Sequence, residues 1–356
     1  MGIAILFNTA NGFHQNCLYG IGAKFPSKFI NAITLGFSFS GSIAAIFMII
    51  SLSISPAPKT VALWFFSFAT VYMILAMLME SKLRKNSFVK YYVTKNETLS
   101  LDVSTNSLTV TPNLDLNSNI ELQDHRKSFD NPVSSDNLSE NSIRNPAFCH
   151  DTNFQKNYSS TIIINNNVDS LEKESFISKH FNILKQCWIQ LLNIIIVYFV
   201  SFSLFPAIQA GIRPQNNLLP DKYFAPVFCF LFFNTFATFG NVLAEYSWRP
   251  SPQTLIYWCI LRVVFIPLFI FCNYIPEIRV WPVLFDDFGY IILVIIMSTS
   301  SGYLSALALM YAPQTVHSKE ASNASMMSSA AVIIGILFGV QYSIILRQFT
   351  VMNFKS

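Results

Sequence analysis

Long apolar runs separated by shorter polar segments make up most of this sequence. The runs are about 18–25 residues long, and an α-helix of that length crosses the roughly 30 Å of hydrocarbon in a bilayer. The pattern therefore predicts an all-α polytopic membrane protein with about eight transmembrane helices. The predicted spans are 3–23, 29–54, 59–80, 186–209, 223–244, 253–274, 287–311 and 324–347.

The amino-acid composition agrees with a membrane protein. Hydrophobic residues make up 52% of the chain and charged residues only 12%, whereas charged residues are about 25% of a typical soluble domain. Folded in water, such a chain would have too little polar surface. The composition therefore argues against a soluble globular protein.

One long polar segment divides the spans into two groups. Residues 1–82 contain the first three spans, and residues 186–356 contain the last five. The segment 83–185 between them is rich in Asn, Ser and Asp and poor in apolar residues, which is typical of disorder. The sequence therefore predicts a membrane bundle interrupted by a largely disordered loop.

Lysine and arginine are concentrated on one side of this topology. That side includes both ends of the 83–185 segment, and the loops on the other side carry fewer cations. Because cytosolic loops carry an excess of Lys and Arg, we expect the long loop to be cytosolic and the C-terminus extracellular. The net charge of +4 mostly reflects this bias, and no basic patch indicates a nucleic-acid partner.

The sequence lacks the patterns of a metal site or an enzyme. The six cysteines are scattered and do not have the spacing of metal ligands. There is no H-E-x-x-H motif, no G-x-S-x-G motif and no pair of carboxylates in the middle of a span. We therefore expect no metal, no other cofactor and no enzymatic activity.

Polar side chains inside the spans align along helical faces. Amides and hydroxyls in a membrane can simply join helices by hydrogen bonds, but four aligned stripes in one chain favour a shared polar cavity. Amides, hydroxyls and aromatic rings suit a neutral, flat solute that forms hydrogen bonds. The stripes are Asn8, Asn11 and Gln15; Gln186, Gln190, Asn193 and Ser201; Phe230, Asn234, Thr238, Asn241 and Glu245; and Ser298, Ser301 and Ser305.

Acidic residues are absent from the middle of every predicted span. Glu80, Glu245, Asp286 and Asp287 all lie at predicted span ends. Carriers driven by protons or sodium usually need a buried carboxylate or an unwound helix with free carbonyls. The sequence therefore favours facilitated diffusion over ion-coupled transport.

Small residues within the spans predict close helix packing. Gly36 and Gly41 lie in the second span, and Gly335 and Gly339 form a G-x-x-x-G pair in the last. Glycines at such positions let helix backbones approach closely. We therefore expect a structural role for them.

Arg262 lies roughly ten residues, or about 15 Å of helical rise, inside the sixth span. A guanidinium so deep must face the protein, because leaving it unpaired costs at least about 3 kcal/mol. We expect its acceptors to be helix carbonyls and amide or hydroxyl groups of the fifth or seventh span, or Glu245. Bracing of the bundle is favoured over direct contact with a solute.

Several segments occur in an order that resembles the equilibrative nucleoside transporters. Near the N-terminus, "ANGFHQNCLYGIGAKFP" resembles the fourth helix of that family, and "LGFSFSGSIAAIFMII" resembles the fifth. Downstream matches cover nearly all of the chain except the long loop. They are "FPAIQAG", "APVFCFLFFNTFATFGN", "WRPSP", "LRVVFIPLFIFCN", "SSGYLSALALMYAP" and "EASNASMMSSA".

The resemblance implies a major-facilitator-like bundle of eleven helices, in which the predicted spans correspond to helices four to eleven. The first three helices of the family have no counterpart here, and we interpret the chain as a truncated gene model or a shortened isoform. The resemblance also implies equilibrative transport of nucleosides, and in some members of nucleobases, by alternating access. We expect a location in the plasma membrane.

The resemblance also assigns residues to the solute cavity. Asn11 and Gln15 match cavity positions on the fourth helix of the family. Phe205 belongs to a Phe-Pro pair on the seventh helix, and Phe230 and Asn234 match cavity positions on the eighth.

A second set of matches implies structural or gating roles. Pro206 completes the Phe-Pro pair, and Arg262 matches an arginine that precedes F-x-P-L on the ninth helix. Gly302 and Tyr303, together with Ser300, match an S-N-G-Y-like element on the tenth helix. We include Gly36 and Gly41 in this structural set.

Three positions depart from the family pattern. Ala237 and Asn241 stand where the family has an aspartate and an arginine, and Ser301 replaces the usual asparagine. We still expect Asn241 and Ser301 to contact the solute. Together with the missing helices, these departures support a second hypothesis, a non-transporting family member that acts as a regulator or subunit.

Overall fold

The computed structural model describes residues 2–87, 89, 91, 157–216, 218–246, 248–277 and 281–351. In these parts of the chain a helix coincides with each of the eight predicted spans, and no strand is present. The helices are α1 (Gly2–Gly22), α2 (Lys28–Ile54), α3 (Pro58–Lys85), α4 (Asn157–Leu204), α5 (Asp221–Tyr246), α6 (Leu255–Ile270), α7 (Asp287–Tyr311) and α8 (Ala321–Val351).

The protein is a helical integral membrane protein, as the apolar pattern predicts. Six of the described helices, α2, α3, α4, α5, α7 and α8, are long and apolar enough to cross a membrane. Helix α6 is apolar but shorter, and α1 is interrupted by polar residues. Large apolar side chains such as Leu63, Met79 and Phe338 are exposed on the outer helix faces, where lipid is the natural solvent.

The fourth helix has different ends from the predicted span. It begins at Asn157, well before residue 186, and ends at Leu204 rather than at 209. Pro206 follows the last helical residues; a proline has no N–H to continue the helix ladder. Most of the predicted loop, residues 83–185, lies outside the described residues, so its disorder stays a prediction.

The chain divides into two units, residues 1–98 with 177–356 and residues 99–176. The second unit is described only over residues 157–176, as helix.

Two helices of the first unit depart from regular α-helical geometry. Helix α5 has a π-helical segment at Ala225–Leu231, which includes Pro226, and α6 tightens into a 3-10 turn at Arg262–Val264. Both irregularities release backbone carbonyls from the regular ladder and often occur at functional sites. The π-helical segment ends three residues before Asn234, and Arg262 is the first residue of the 3-10 turn.

Glycines permit the closest helix crossings of the first unit. A Cβ atom at Gly302 of α7 would lie 2.0 Å from the carbonyl oxygen of Ala237, and one at Gly240 of α5 would lie 2.1 Å from that of Thr299. These distances are too short for any side chain, so α5 and α7 pack backbone against backbone. Gly335 and Gly339 of α8 similarly face the backbone of α4, where an added Cβ would lie 2.9 and 2.7 Å, respectively, from a carbonyl oxygen.

Gly36 differs from these glycines. It is exposed, and a Cβ at this position would meet no atom within 4 Å. The described structure therefore gives no close neighbour that requires glycine there.

We predict that Gly302→Ala lowers the thermal stability of the detergent-solubilised protein. The added methyl group meets backbone atoms that cannot rotate away, and overpacking of this kind costs about 1–3 kcal/mol. Gly36→Ala is the matched control, for which the melting midpoint should stay the same or rise because alanine favours helix. Equal midpoints for wild type and Gly302→Ala would contradict the backbone crossing.

Candidate functional site

A cavity of about 210 Å³ lies between α1 and α2 on one side and α4, α5, α7 and α8 on the other. Its polar lining consists of Gln15, Tyr19, Thr34, Ser38, Asn234, Ser301 and Ser305. Its apolar and aromatic lining consists of Phe37, Tyr198, Phe202, Phe233, Ala237, Gly302, Val332 and Ile336. The cavity therefore brings together Gln15, Asn234 and Ser301, three residues that the sequence assigns to the solute cavity. Gly302, which was predicted to have a structural or gating role, also lines it.

The wall formed by α1 and α2 contains a buried hydroxyl pair. The Tyr19 and Thr34 hydroxyl oxygens lie 3.1 Å apart, and the Thr34 hydroxyl also donates to the carbonyl of Ile30 at 3.2 Å. Since a hydroxyl has one proton, Tyr19 is the donor to Thr34. Tyr19 also stacks on Phe37, with ring centroids 6.2 Å apart. These contacts fix the aromatic ring that follows Gln15 by one helical turn.

Asn234 faces the same cavity from α5. Its Nδ2 atom donates to the carbonyl of Phe230, within the π-helical segment, at 2.8 Å. A Cβ at Gly41 of α2 would lie 2.1 Å from its Oδ1 atom. Gly41 therefore leaves the space in which the Asn234 amide lies between α2 and α5.

Arg262 is 2% exposed and connects three helices. Its Nη1 atom donates to the carbonyl of Met297 at 2.9 Å and to the Ser300 hydroxyl at 2.5 Å. Its Nη2 atom donates to the Ser201 hydroxyl at 2.8 Å. The Ser201 hydroxyl in turn lies 2.8 Å from that of Ser301, which lines the cavity.

These contacts match the predicted environment of Arg262 in part. A carbonyl and a hydroxyl of the seventh span are acceptors, but the third acceptor, Ser201, belongs to the fourth span. Glu245 is not among the acceptors of its hydrogen bonds. Within the described ranges the guanidinium forms no salt bridge and is stabilised by neutral oxygens.

Asn241 takes part in contacts between helices rather than in the cavity lining. It is fully buried; its backbone carbonyl accepts from the Asn31 amide at 3.0 Å, and its own amide donates to the Ser38 hydroxyl at 3.1 Å. Ser42 and Thr235 add a hydroxyl contact of 3.3 Å. These bonds join α2 to α5 beside the cavity.

The three other residues predicted to contact the solute, Asn11, Phe205 and Phe230, also lie outside the lining, and so does Tyr303. Asn11 is exposed on α1. Phe205 stacks on Phe233, with centroids 4.1 Å apart, and Phe230 packs on the edge of Phe205 at 5.5 Å. Tyr303 donates its hydroxyl to the Trp248 carbonyl and borders a separate apolar groove.

Sequence patterns could have identified some lining residues that the predictions missed. Tyr19 continues the stripe of Gln15 by one helical turn, and Thr34 and Ser38 are spaced by four residues on α2. Phe37, Phe202 and Phe233 gave no such signal, because phenylalanine also occurs at many exposed positions of the described helices.

The lining determines which solutes the cavity can accept. It offers amide and hydroxyl groups and aromatic rings, and no carboxylate, imidazole, ammonium or guanidinium group lines it among the residues that the structure describes. An ion would lose its hydration there without gaining a counter-charge. The arrangement therefore suits a neutral solute that forms hydrogen bonds and has a flat apolar face.

Known proteins with the same sequence pattern are transporters rather than enzymes. A family model described as nucleoside transporter matches residues 1–348. Equilibrative nucleoside transporter 2 of Mus musculus is 25% identical over 340 residues, covering 94% of this chain and 68% of the relative. The corresponding protein of Homo sapiens is 25% identical over 353 residues, covering 98% and 71%.

A more similar stretch is found in equilibrative nucleoside transporter 1 of Rattus norvegicus, which is 33% identical over 175 residues, or 46% of this chain and 37% of the relative. The family match spans nearly all of the chain, and it agrees with a helical membrane bundle around an uncharged polar cavity. This chain belongs to the nucleoside transporter family.

Proposed function

We propose that this protein carries nucleosides, and also nucleobases, across the plasma membrane down their concentration gradient. The observation that carries the proposal is the cavity between the two groups of helices, lined by amides, hydroxyls and aromatic rings. Membership of the nucleoside transporter family supports the same solute class. A nucleoside is neutral, has a flat ring and carries donors and acceptors on both the base and the ribose.

In this proposal the polar and aromatic residues of the lining have different roles in binding the solute. Gln15, Asn234 and Ser301 exchange hydrogen bonds with the solute, since all three border the cavity from different helices. Phe37 and Phe202 provide apolar faces against which a base can lie. Arg262 acts behind the lining, through Ser201.

We further propose transport by alternating access. The cavity volume of about 210 Å³ is below the roughly 300–1,000 Å³ of most ligand sites, so a solute requires the helix groups to separate. The groups are joined by neutral hydrogen bonds, from Ser322 to the Gly20 carbonyl at 2.9 Å and between Ser53 and Tyr223 at 3.3 Å. Such bonds contribute about 1 kcal/mol or less each in membranes, so they can break during a transport cycle.

The direct test of the function is uptake of radiolabelled uridine and adenosine by oocytes that express the chain. We expect uptake that saturates with solute concentration and stops at equal concentrations on both sides. Uptake equal to that of water-injected oocytes, with the protein present at the surface, would contradict the proposal and support the non-transporting regulator.

We predict that Gln15→Ala and Asn234→Ala each reduce the apparent affinity for uridine by about tenfold, because each loses a hydrogen bond to a desolvated solute worth about 1–2 kcal/mol. Concentration-dependent uptake, normalised to surface expression, measures the change. Gln341→Ala is the matched control, since this amide is exposed on α8 and outside the lining. Unchanged kinetics in both cavity variants would remove these residues from the proposed site.

We predict that a disulfide between Ser42→Cys and Thr235→Cys stops transport, because it locks α2 to α5. The native hydroxyl oxygens are 3.3 Å apart, so two cysteine sulfurs at these positions can meet. An oxidant should abolish uridine uptake in the double variant, and a reductant should restore it. Each single variant, treated identically, is the control; full uptake by the cross-linked protein would refute movement between these helices.

We predict that uptake does not depend on a sodium or proton gradient. The described lining contains no carboxylate or imidazole that could bind a coupling ion. Replacing sodium by choline, or changing the external medium from neutral to mildly acidic, should leave the initial rate of uridine uptake unchanged. Accumulation of uridine above its external concentration would show that ion coupling exists.

A further inference from the structure

The hydroxyl of Ser301 is part of a hydrogen-bonded chain that begins at Arg262. Ser301 is 7% exposed and lines the cavity, and its oxygen lies 2.8 Å from that of Ser201. Ser201 also accepts a bond from Arg262 Nη2 at 2.8 Å. Distances alone do not say which serine donates to the other, but counting protons does.

Ser201 has a single proton and three neighbours within hydrogen-bonding distance. Its hydroxyl lies 2.7 Å from the Val197 carbonyl, to which it donates. The Arg262 guanidinium can only donate, so Ser201 accepts from it. With its proton directed to Val197, Ser201 has its second lone pair left for Ser301, and Ser301 must therefore be the donor.

The surroundings of Ser301 lead to the same direction. A serine in a helix usually turns its hydroxyl to the carbonyl four residues earlier, which for Ser301 is Met297. That carbonyl already accepts from Arg262 Nη1 at 2.9 Å and from the Ser300 hydroxyl at 2.9 Å. Arg262 thus occupies the local acceptor and also holds Ser201 in place as the alternative acceptor.

We propose that Arg262 is a positioning residue that makes Ser301 a pure hydrogen-bond acceptor toward the cavity. The proton of Ser301 points away from the cavity, to Ser201, and its free lone pair faces the solute. The cavity at this point selects a hydrogen-bond donor of the solute and disfavours an acceptor. This inference rests on the proposed function, because it takes the cavity as the nucleoside site.

The selection has a measurable chemical consequence. Fluorine is close to a hydroxyl in size and keeps lone pairs, but it cannot donate a proton. A uridine analogue whose hydroxyl is replaced by fluorine at the position facing Ser301 leaves that oxygen without a partner. A buried group left unsatisfied costs about 1–3 kcal/mol, so such an analogue should bind about tenfold more weakly than uridine.

The test compares analogues that each lack one donor of uridine, with each ribose hydroxyl replaced by fluorine or the ring N–H methylated. The concentration of analogue that halves labelled uridine uptake is divided by the corresponding concentration of unlabelled uridine. For the wild-type protein we expect one analogue with a ratio of about ten. For Ser301→Ala the ratio for that analogue should fall toward one, because no acceptor remains.

Ser201→Ala tests the chain of hydrogen bonds behind Ser301. Without the Ser201 oxygen, Ser301 can turn its proton to the cavity and donate to fluorine, so the ratio should again fall. Arg262→Lys should also lower the ratio, because one ammonium group cannot replace the planar guanidinium at all three acceptors. If Arg262→Lys does not reach the cell surface, the ratio measured for Ser201→Ala still tests the inference.

Ser203→Ala is the matched control. Ser203 is also buried on α4, and its hydroxyl donates to the Phe199 carbonyl at 2.6 Å, the same type of bond that Ser201 makes within its helix. The control should keep the wild-type ratio.

Ratios unchanged from wild type in Ser301→Ala and Ser201→Ala, with uridine uptake retained, would overturn this inference alone. Absence of uridine uptake in the wild-type protein would instead overturn the proposed function, and this inference with it.

Discussion

A polar side chain inside a bilayer has no bulk water to bind, so it must find a partner in the protein or border a wet cavity. Among the described residues, two groups of amides illustrate this constraint. Asn31, Asn193 and Asn241 are buried, and each donates a hydrogen bond to another residue of the protein through its Nδ2 atom. Gln15 and Asn234 instead border the central cavity.

Arg262 is the most demanding case of the same constraint. A buried cation usually needs a carboxylate, but here two hydroxyls and a backbone carbonyl solvate the guanidinium. Such a neutral environment stabilises the charge without placing a negative group beside the cavity. The described lining of the cavity itself carries no charged side chain, which suits an uncharged solute.

The apolar pattern was sufficient to predict the helices, because length and hydrophobicity alone decide whether a segment crosses a bilayer. It predicted the cavity less well. A polar stripe such as Phe230, Asn234 and Asn241 identifies one face of α5, but helical spacing cannot say where along that face the cavity ends and packing against α2 begins. Asn234 lines the cavity, whereas Asn241 lies in the part of the face that packs against α2.

Contacts between distant segments could not be predicted from sequence patterns for a related reason. The partnership of Arg262 with Ser201 joins residues 61 positions apart on helices that the chain order does not show to be neighbours. Likewise, nothing local distinguishes Gly302, whose Cβ would strike a backbone carbonyl, from Gly36, which faces open space. Only the crossing of α5 and α7 separates a glycine that packing requires from one that it does not.

The central claim is that a neutral nucleoside lies between the helix groups, held by amides and hydroxyls. An experimental structure of the full chain with uridine bound would test this claim most directly. The account predicts uridine density between α1, α2, α5 and α7, within hydrogen-bonding distance of Gln15, Asn234 and Ser301. Uridine bound elsewhere on the protein, with these side chains still contacting only one another, would contradict it.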